Sequence, residues 1–394
     1  MKRIRHSSDL AINGAAPAFA SAVHVGRPNI GDRDKLRRLV DKVLDNRWLT
    51  NDGPMVRELE QRLAEALQVR NCVCVCNGTI GLELAYQALG LTGEVIVPAY
   101  TFIATAHALE RVGVTPVFAD IDPRTHNLDP ESVRRLVTDR TSGIVPVHLW
   151  GRAADVGALA GIADEFGLKL VFDAAHAFGS TCGGLPIGRF GNAEVMSFHA
   201  TKFFNTLEGG AITTDDDALA KELRLMRNFG FSGYDRTERT GTNGKMNEVC
   251  AAMGLVNLDA LPDVVEANRR IHERYRTALS GIPGLHLVSY GDEEKNNFQY
   301  VVLEVDDRFP VSRDEVMRVL QAENVLVRRY FWPGCHRMEP YAGRQGGAVA
   351  SLPATEAVAG RVLVLPTGTA LPDGAIELQA EVLALLSRQE GGGR

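Results

Sequence analysis

The residue with the clearest capacity for chemistry is a lysine in a stretch of chain that carries almost no other charge. Lys202 lies in the segment SFHATKFFNTLEGG, whose only other formally charged residue is Glu208. Apolar surroundings disfavour the protonated amine, so its pKa falls and it becomes a nucleophile suited to Schiff-base chemistry. A lysine in an ordinary exposed turn could occupy the same position, and Lys202 alone does not decide between the two interpretations.

An acidic side chain, Asp173, ends the apolar run LKLVFD. A carboxylate at such a position either caps a helix or meets a cation, because an isolated buried charge is costly. His176 follows shortly after, in the segment DAAHAFG. The two residues could form a catalytic pair or a structural hydrogen bond, and both interpretations stay open.

Two further features could bind a planar, phosphorylated ligand. Gly78 and Thr79 follow the run NCVCVC and begin a pattern of helical periodicity. A helix that begins on small residues presents backbone N–H groups and a positive dipole to an anion. Phe102 follows the run EVIVPAYT, where its ring either packs in the core or covers a ligand. Combined with a carboxylate and a lysine, these features suit pyridoxal 5'-phosphate, a cofactor whose pyridine ring acts as an electron sink.

The elements that must place these residues alternate regularly along the chain. From about residue 70, short apolar runs alternate with segments of helical periodicity. This alternation predicts an α/β fold with a mostly parallel sheet that helices cover on both faces. Ligands bind such sheets at the carboxyl ends of the strands. Gly78, Asp173 and Lys202 all follow predicted strands, so we expect them at one edge of the sheet.

We expect three parts: an N-terminal segment over residues 1–30, a large α/β domain over 31–264 and a smaller α+β domain over 265–394. The first segment is basic and then rich in small apolar residues, which weakly resembles a secretory leader. Its apolar part is interrupted by Asn13, Gly14 and Pro17, so a cytoplasmic location is favoured. The tail EGGGR is predicted to be disordered.

Bulk composition excludes several classes of function. The chain has 394 residues, 45% of them hydrophobic and 23% charged, with a net charge of −6, which is typical of a globular protein. Without basic blocks it is not predicted to bind nucleic acid, and no apolar window is long enough to span a membrane. Cys72, Cys74 and Cys76 alternate, which predicts thiols on one face of a strand. Their spacing matches no zinc site, so no metal is expected.

Over nearly its whole length the chain resembles the nucleotide-sugar aminotransferases, the DegT/DnrJ/StrS-like family of fold-type-I, aspartate-aminotransferase-like pyridoxal phosphate enzymes. The motifs that carry this resemblance are CNGTIGLELA, VPAYTFIATAHA, FDAAHAFGS, SFHATKFFNTLEGG and GTNGKMNEVCAAMGL. The greatest similarity is to enzymes that aminate carbon 4 of a dTDP-linked 4-keto-6-deoxyhexose. Those enzymes share the motifs DAAHA, SFHATK, NFGF and LPTGTA with this chain.

The resemblance implies a role for each candidate residue. Lys202 would form the Schiff base with the cofactor and move the proton during transamination. Asp173 would pair with the pyridine nitrogen, and His176 would contact the ring or its 3'-hydroxyl. Phe102 would stack on the ring. The phosphate would be bound by three residues, Gly78, Thr79 and Ser197.

The resemblance also implies a homodimer with shared active sites. Asn243, in the motif GTNGKM, would reach the cofactor phosphate of the neighbouring subunit. An isologous twofold interface is the expected form of such a dimer. From its spacing alone, Asn243 could equally be a turn residue beside Gly244.

The implied reaction is a ping-pong transfer of an amino group from L-glutamate to the keto carbon of the nucleotide-linked sugar. The segment VRRYFWPGCHRMEPY supplies candidate substrate contacts: Arg328, Arg329, Tyr330 and His336. Arginine forks suit diphosphate oxygens, but neighbouring strand residues face opposite ways, so the inward-facing arginine is undecided. Alternatives are amination at carbon 3, a ketocyclitol acceptor, or a cofactor-binding regulator without turnover. The regulator is disfavoured because Lys202 and Asp173 are both present.

Overall fold

The computed structural model describes residues 2–343 and 351–388, so the tail EGGGR lies outside the described residues. The strands, in chain order, are β1 (Val23–His24), β2 (Asn71–Val75), β3 (Glu94–Pro98), β4 (Thr115–Ala119), β5 (Thr141–Ile144), β6 (Lys169–Asp173), β7 (Thr181–Cys182), β8 (Leu185–Pro186), β9 (Ala193–Ser197), β10 (Gly210–Thr214), β11 (Phe231–Gly233), β12 (Arg236–Thr237), β13 (Leu285–Leu287), β14 (Val301–Val305), β15 (Val325–Leu326) and β16 (Val362–Leu365).

The α-helices are interleaved with these strands, except that α1 and α2 follow each other directly, as do α8 and α9. In order they are α1 (Arg33–Asn46), α2 (Pro54–Leu67), α3 (Gly78–Ala88), α4 (Ala104–Arg111), α5 (Pro130–Leu136), α6 (Val156–Phe166), α7 (Asp217–Met226), α8 (Glu248–Asp259), α9 (Leu261–Leu279), α10 (Arg313–Ala322), α11 (Pro353–Arg361) and α12 (Ala375–Leu386). Many begin at a side chain that accepts a hydrogen bond from the first turn, as Asn77 does for α3 and Asn247 for α8.

A seven-stranded sheet in the order β2-β10-β9-β6-β5-β3-β4 is built from strands between residues 71 and 214. The pairs from β9 to β4 are parallel, and β10 is antiparallel to both of its neighbours. The prediction of a mostly parallel α/β sheet is therefore confirmed. Parallel strands buried on both faces explain why the apolar runs in the sequence are nearly continuous.

The side chains of strand β2 pack into two hydrophobic cores, one on each face of the sheet. Val73 and Val75 pack on one face with α3 and α7, whereas Cys72 and Cys74 pack on the other face with α2. The predicted burial of Cys72 and Cys74 on one face is thus confirmed. Cys76 lies beyond the end of the strand and is only half-buried. All six cysteines lie within the described residues and are free thiols.

A smaller antiparallel sheet, β13-β14-β16, packs with helices α9, α10 and α12. In the segment VLVRRYF, Val325 and Leu326 form β15, which pairs in parallel with β1. The N-terminal segment is therefore joined to the C-terminal part of the chain, and its Ile4 and Leu10 are buried in the same core.

The predicted boundary between residues 264 and 265 falls within helix α9. A continuous helix, and not a linker, therefore leads from the large sheet to the small one. Among the described residues, no helix is both long and apolar enough to cross a membrane.

Candidate active site

A pocket of about 690 Å³ opens at the carboxyl ends of β2, β6 and β9. Its other lining residues include Tyr300, directly before β14, and Arg328 and Tyr330, which follow β15. The carboxyl ends of the strands are the expected position for a ligand site in an α/β fold. The predicted site residues that line this pocket are Gly78, Thr79, Phe102, Asp173, His176, Ser197, Lys202, Arg328 and Tyr330. The structure therefore brings together residues that are far apart in the sequence.

The turn that follows β9 places Lys202 in the pocket wall. Its backbone N–H donates to the carbonyl of His199 at 2.8 Å, and the next residue, Phe203, is buried. The amine Nζ lies 3.4 Å from the phenol oxygen of Tyr300. Burial lowers the pKa of Lys202 from 10.5 to about 8, and the negative charge of Asp173 opposes this change. A considerable fraction of the amine is therefore neutral near pH 8, as nucleophilic chemistry requires.

Asp173 lies at the end of β6, where its carboxylate is 6% exposed. Oδ2 accepts a hydrogen bond from Thr105 Oγ1 at 2.8 Å, and Oδ1 accepts one from the backbone N–H of Ala175 at 3.1 Å. Burial raises the pKa of Asp173, and these two hydrogen bonds and the positive charge of Lys202 oppose the rise. The structure therefore holds a carboxylate with little access to water, ready to pair with a cationic ring nitrogen.

The start of helix α3 forms a cradle for an anion. Asn77 accepts a hydrogen bond from the N–H of Ile80 at 2.8 Å, which leaves the first-turn N–H groups of Gly78 and Thr79 on the pocket wall. A Cβ at Gly78 would lie 3.1 Å from the Cβ of Ser197, so a side chain there would crowd the cradle. Ser197 lines the pocket beside these backbone N–H groups and the positive end of the helix dipole, which together suit a phosphate.

His176 is buried in a wall of aromatic rings. Its ring centroid lies 4.6 Å from that of Tyr300, 5.9 Å from Trp150 and 6.0 Å from Phe331. Nδ1 is buried without a hydrogen-bond partner among the described residues. Burial lowers the pKa of His176 well below its ordinary value, and the charge of Lys202 adds to this effect, so the ring is neutral. A hydroxyl of a bound ligand would supply the missing partner.

Phe102 stands at the mouth of the pocket with 59% of its surface exposed. A large aromatic ring in that position leaves apolar surface in water, and a planar ligand would cover it. The orphaned His176 nitrogen, the Gly78 cradle and this exposed ring all fit pyridoxal 5'-phosphate, with Lys202 as the amine and Asp173 as the partner of its ring nitrogen.

The side chains of Arg328 and Arg329 point to different surroundings. Their positions show which of the two arginines faces the pocket, a choice that the sequence leaves open. Arg328 is exposed and lines the pocket, with its Cζ 5.6 Å from the centre of the Tyr330 ring. Arg329 Nη1 lies 3.2 Å from each carboxylate oxygen of Asp314, and its Cζ is 5.7 Å from the Trp332 ring. Of these two arginines, Arg328 is therefore the one in a position to bind a ligand in this pocket.

Two other predicted residues lie outside the pocket. His336 is buried 3.4 Å from Glu356 Oε1, because its short helical turn packs against the start of α11. Asn243 lies between β12 and α8, where its Oδ1 accepts a hydrogen bond from Lys245 Nζ at 2.6 Å. His336 is therefore not in contact with the pocket. The role of Asn243 toward a partner subunit stays a prediction.

Sequence reasoning missed two residues that contact the predicted catalytic groups. Thr105 lies in the first turn of α4 and hydrogen-bonds to Asp173. Its position, just after Phe102 in the motif TFIATA, is a signal that could have revealed it. Tyr300 precedes β14 and contacts Lys202. No local sequence signal marks Tyr300, because the contact joins segments that are distant in the chain.

The fold and the pocket define the class of protein, a fold-type-I pyridoxal phosphate aminotransferase. The sequence profile of the DegT/DnrJ/EryC1/StrS aminotransferase family matches residues 31–383, and the chain belongs to that family. The prediction of a sugar aminotransferase that depends on pyridoxal 5'-phosphate is therefore confirmed.

Individual relatives agree with this assignment. The chain is 38% identical over 355 residues to a dTDP-4-amino-4,6-dideoxy-D-glucose transaminase of Shigella dysenteriae, covering 90% of this chain and 96% of the relative. It superposes on DesI, solved in the presence of its TDP-sugar product, with a TM-score of 0.92, 51% identity and 97% coverage of both chains. It also matches the PLP form of Spr1654, a Streptococcus pneumoniae protein assigned as a sugar aminotransferase, with a TM-score of 0.85 and 26% identity over 93% of this chain and 98% of the other.

Proposed function

We propose that the protein transfers an amino group from L-glutamate to carbon 4 of a dTDP-linked 4-keto-6-deoxyhexose. One observation carries this proposal: a single pocket holds Lys202 and Asp173 beside Arg328, a guanidinium suited to a diphosphate. The transaminase of Shigella dysenteriae, whose name specifies a dTDP-linked 4-amino-4,6-dideoxy sugar, and DesI, solved with its TDP-sugar product, support the choice of substrate.

The cofactor supplies an electron sink and a carrier for the amino group when it is bound. The residues of this chain supply its binding, its orientation and the proton transfers. The first-turn N–H groups of α3 and the Ser197 hydroxyl would hold the phosphate. Asp173, ionised and buried, would keep the pyridine nitrogen protonated. Phe102 would cover one face of the ring and limit its contact with water.

Lys202 is the group that moves the proton. Its pKa of about 8 lets the amine accept or release a proton near neutral pH. The Tyr300 phenol lies 3.4 Å from the free amine and holds it at the pocket wall when Lys202 is not bonded to the cofactor. Because the reaction alternates between two substrates, the same amine serves in both halves of the cycle.

Arg328 is the proposed contact for the nucleotide diphosphate. The other cationic groups on the pocket wall have acidic neighbours: Arg111 pairs with Glu83 at 2.6 Å, and the charge of Lys202 interacts with Asp173. Arg328 forms no ion pair with an acidic side chain in the part of the chain that the structure describes. An unpaired guanidinium is the natural site for an anionic substrate.

The active enzyme is proposed to be a cytoplasmic homodimer. Its six cysteines are free thiols, which suits a reducing compartment. Phe229, Phe231 and Tyr234 are exposed on and beside the β11–β12 hairpin, close in sequence to Asn243. A partner subunit covering this hairpin would bury these rings and bring Asn243 towards the second site.

The decisive experiment is a product assay. The purified enzyme is incubated with pyridoxal 5'-phosphate, L-glutamate and dTDP-4-keto-6-deoxyglucose, and the products are identified by mass spectrometry and NMR. We expect 2-oxoglutarate and the 4-amino sugar in equal amounts. Consumption of the sugar without a 4-amino product would overturn the assignment. So would a parallel assay in which the enzyme aminates the isomeric 3-keto sugar and not the 4-keto sugar.

A further inference from the structure

The carboxylate of Asp173, at the end of β6, accepts a hydrogen bond from a side chain in the helix that follows a different strand, β3. Thr105 belongs to the first turn of α4, after β3, and is fully buried. Its Oγ1 lies 2.8 Å from Asp173 Oδ2. The other oxygen, Oδ1, has a backbone donor in Ala175 at 3.1 Å. Thr105 is thus the side-chain donor that the described structure provides to this carboxylate.

The single hydroxyl proton of Thr105 has three oxygen neighbours. Besides Asp173 Oδ2, they are the Phe102 carbonyl at 3.1 Å and Thr101 Oγ1 at 3.0 Å. A carboxylate is the strongest acceptor of the three and is also the closest, so the proton goes to Asp173. Thr101 then donates its own proton to Thr105. The two hydroxyls form a relay, Thr101 to Thr105 to Asp173, in which each hydrogen bond strengthens the next.

The same turn also fixes the residue predicted to cover the cofactor ring. The backbone N–H of Thr105 donates to the Phe102 carbonyl at 3.2 Å. One residue therefore contacts both the carboxylate expected at the ring nitrogen and the backbone of the ring-covering phenylalanine. A shift of this turn would move both groups together.

We propose that Thr105 is a positioning residue that keeps Asp173 ionised and oriented toward the pyridine nitrogen of the cofactor. This inference rests on the proposed function. It assigns to Thr105 a hydroxyl-dependent effect on the cofactor, which is distinct from simple filling of space beneath α4.

The direction of the effect follows from the environment of Asp173. Burial raises the pKa of the carboxyl group, and of the groups that oppose this rise Thr105 has the largest effect. The other titratable groups that face Asp173 are Lys202, His148, Tyr300 and Tyr86. All of these remain when Thr105 is replaced, so a variant without the hydroxyl isolates its contribution. In that variant the pKa of Asp173 rises further, and the anion is lost at a higher pH.

The test compares Thr105→Val, which removes the hydroxyl at nearly constant shape, with Thr105→Ser, which retains it. Thr213→Val is the matched control, because Thr213 in β10 is equally buried and, within the described residues, its hydroxyl hydrogen-bonds to the Glu194 carbonyl and not to Asp173. The readout is the binding of pyridoxamine 5'-phosphate to the apoenzyme by calorimetry between pH 5.5 and 8.5. This ligand forms no covalent bond with Lys202, so its affinity reports on the pocket without turnover.

We expect Thr105→Val to weaken binding about tenfold at neutral pH, the effect of losing one charge-assisted hydrogen bond. As the pH is lowered, the affinity of Thr105→Val for pyridoxamine 5'-phosphate should begin to fall at a higher pH than that of the wild type. Thr105→Ser should restore both affinity and profile, and Thr213→Val should match the wild type.

Equal behaviour of the Val and Ser variants, or a wild-type profile for Thr105→Val, would overturn the inference. If Val is not tolerated by the fold, Thr105→Ala removes the same donor and is judged by the same criteria. Failure of the wild-type apoenzyme to bind pyridoxamine 5'-phosphate would instead contradict the proposed function, so the two failures are distinguishable.

Discussion

The amine of Lys202 and the phenol oxygen of Tyr300 lie 3.4 Å apart, although 98 positions separate the two residues in the chain. Burial acts on both groups and disfavours charge on each of them. It lowers the pKa of Lys202 to about 8 and raises that of Tyr300 well above its ordinary value. Both groups are therefore neutral in mildly alkaline solution, and neither needs a counter-ion to stay in the pocket.

The first prediction concerns covalent attachment of the cofactor. Lys202→Ala should abolish the fixation of pyridoxal phosphate to the protein by borohydride, because no other lysine among the described residues lines the pocket. Peptide mass spectrometry of the reduced protein provides the measurement. Lys221→Ala, on the exposed side of α7, is the control and should be labelled as fully as the wild type. Full labelling of Lys202→Ala would show that another amine holds the cofactor.

The second prediction is a pH-dependent gain in stability. Below about pH 8 the buried amine is protonated, which lowers the stability of the folded apoenzyme. The pKa of Lys202 is 10.5 when the amine is exposed and about 8 in the folded protein. Between these values the unfolded chain binds more protons, so wild-type stability rises with pH there. Lys202→Met should stabilise the apoenzyme by about 1–3 kcal/mol at pH 7 and by less at pH 9.5.

Urea unfolding at the two pH values measures this difference. Lys221→Met, at an exposed position, is the control and should change stability equally at both. If Lys202→Met changed the free energy of unfolding equally at both pH values, burial of the protonated amine would not destabilise the folded state.

The contrast between local and long-range signals explains what the sequence could reveal. Asp173 and Lys202 were recognisable because each follows an apolar run, and the end of a buried strand is a local property. Thr105 contacts Asp173 across 68 positions and Tyr300 contacts Lys202 across 98, so both contacts depend on how strands are ordered in space. Periodicity carries no information on that order.

The region after β15 shows a second limit. Alternation in VLVRRYF correctly separates Arg328 from Arg329 onto opposite sides, but it cannot say which side faces the pocket. That choice depends on Asp314, at the start of α10, which binds Arg329. The sequence predicts a substrate contact for His336, whereas its packing against Glu356 is a tertiary contact that no local pattern reveals.

The third prediction separates binding of the cofactor from its activation. Asp173→Asn preserves the shape of the side chain but cannot hold a proton on the pyridine nitrogen by charge. We expect the cofactor to remain bound and turnover to fall by about a hundredfold or more, as expected for loss of a buried electrostatic contact to the reacting system. Steady-state kinetics and the absorbance of the bound cofactor are the measurements. Asp173→Glu retains the charge and should keep more activity than Asn; a near-normal rate for Asn would reject the role.

The fourth prediction uses the two neighbouring arginines as a matched pair. Arg328→Ala should raise the KM for the nucleotide sugar about tenfold, since it removes an unpaired guanidinium from the pocket. Arg329→Ala should leave KM within about twofold, because its guanidinium is already held by Asp314. Equal effects of the two substitutions would show that Arg328 has no special contact with the substrate.

The fifth prediction tests whether two subunits share each site. Lys202→Ala and Asn243→Asp chains are each expected to be nearly inactive, the second because an added carboxylate would repel the partner's cofactor phosphate. If Asn243 serves the neighbouring site, a co-expressed mixed dimer has one site with both defects and one with none. About a quarter of all sites should then be intact after random pairing, and activity should return to about that fraction of the wild type.

The matched control for this experiment is a mixture of Lys202→Ala and Asp173→Asn chains. Both residues line the pocket of the same chain, so neither site of that mixed dimer is intact and activity should stay low. Recovery in the first mixture but not in the second requires that Asn243 and Lys202 of different chains meet in one site. No recovery in either, with mixed dimers verified by native mass spectrometry, would mean that each subunit completes its own site and that Asn243 acts only within its own loop, where Lys245 already holds it.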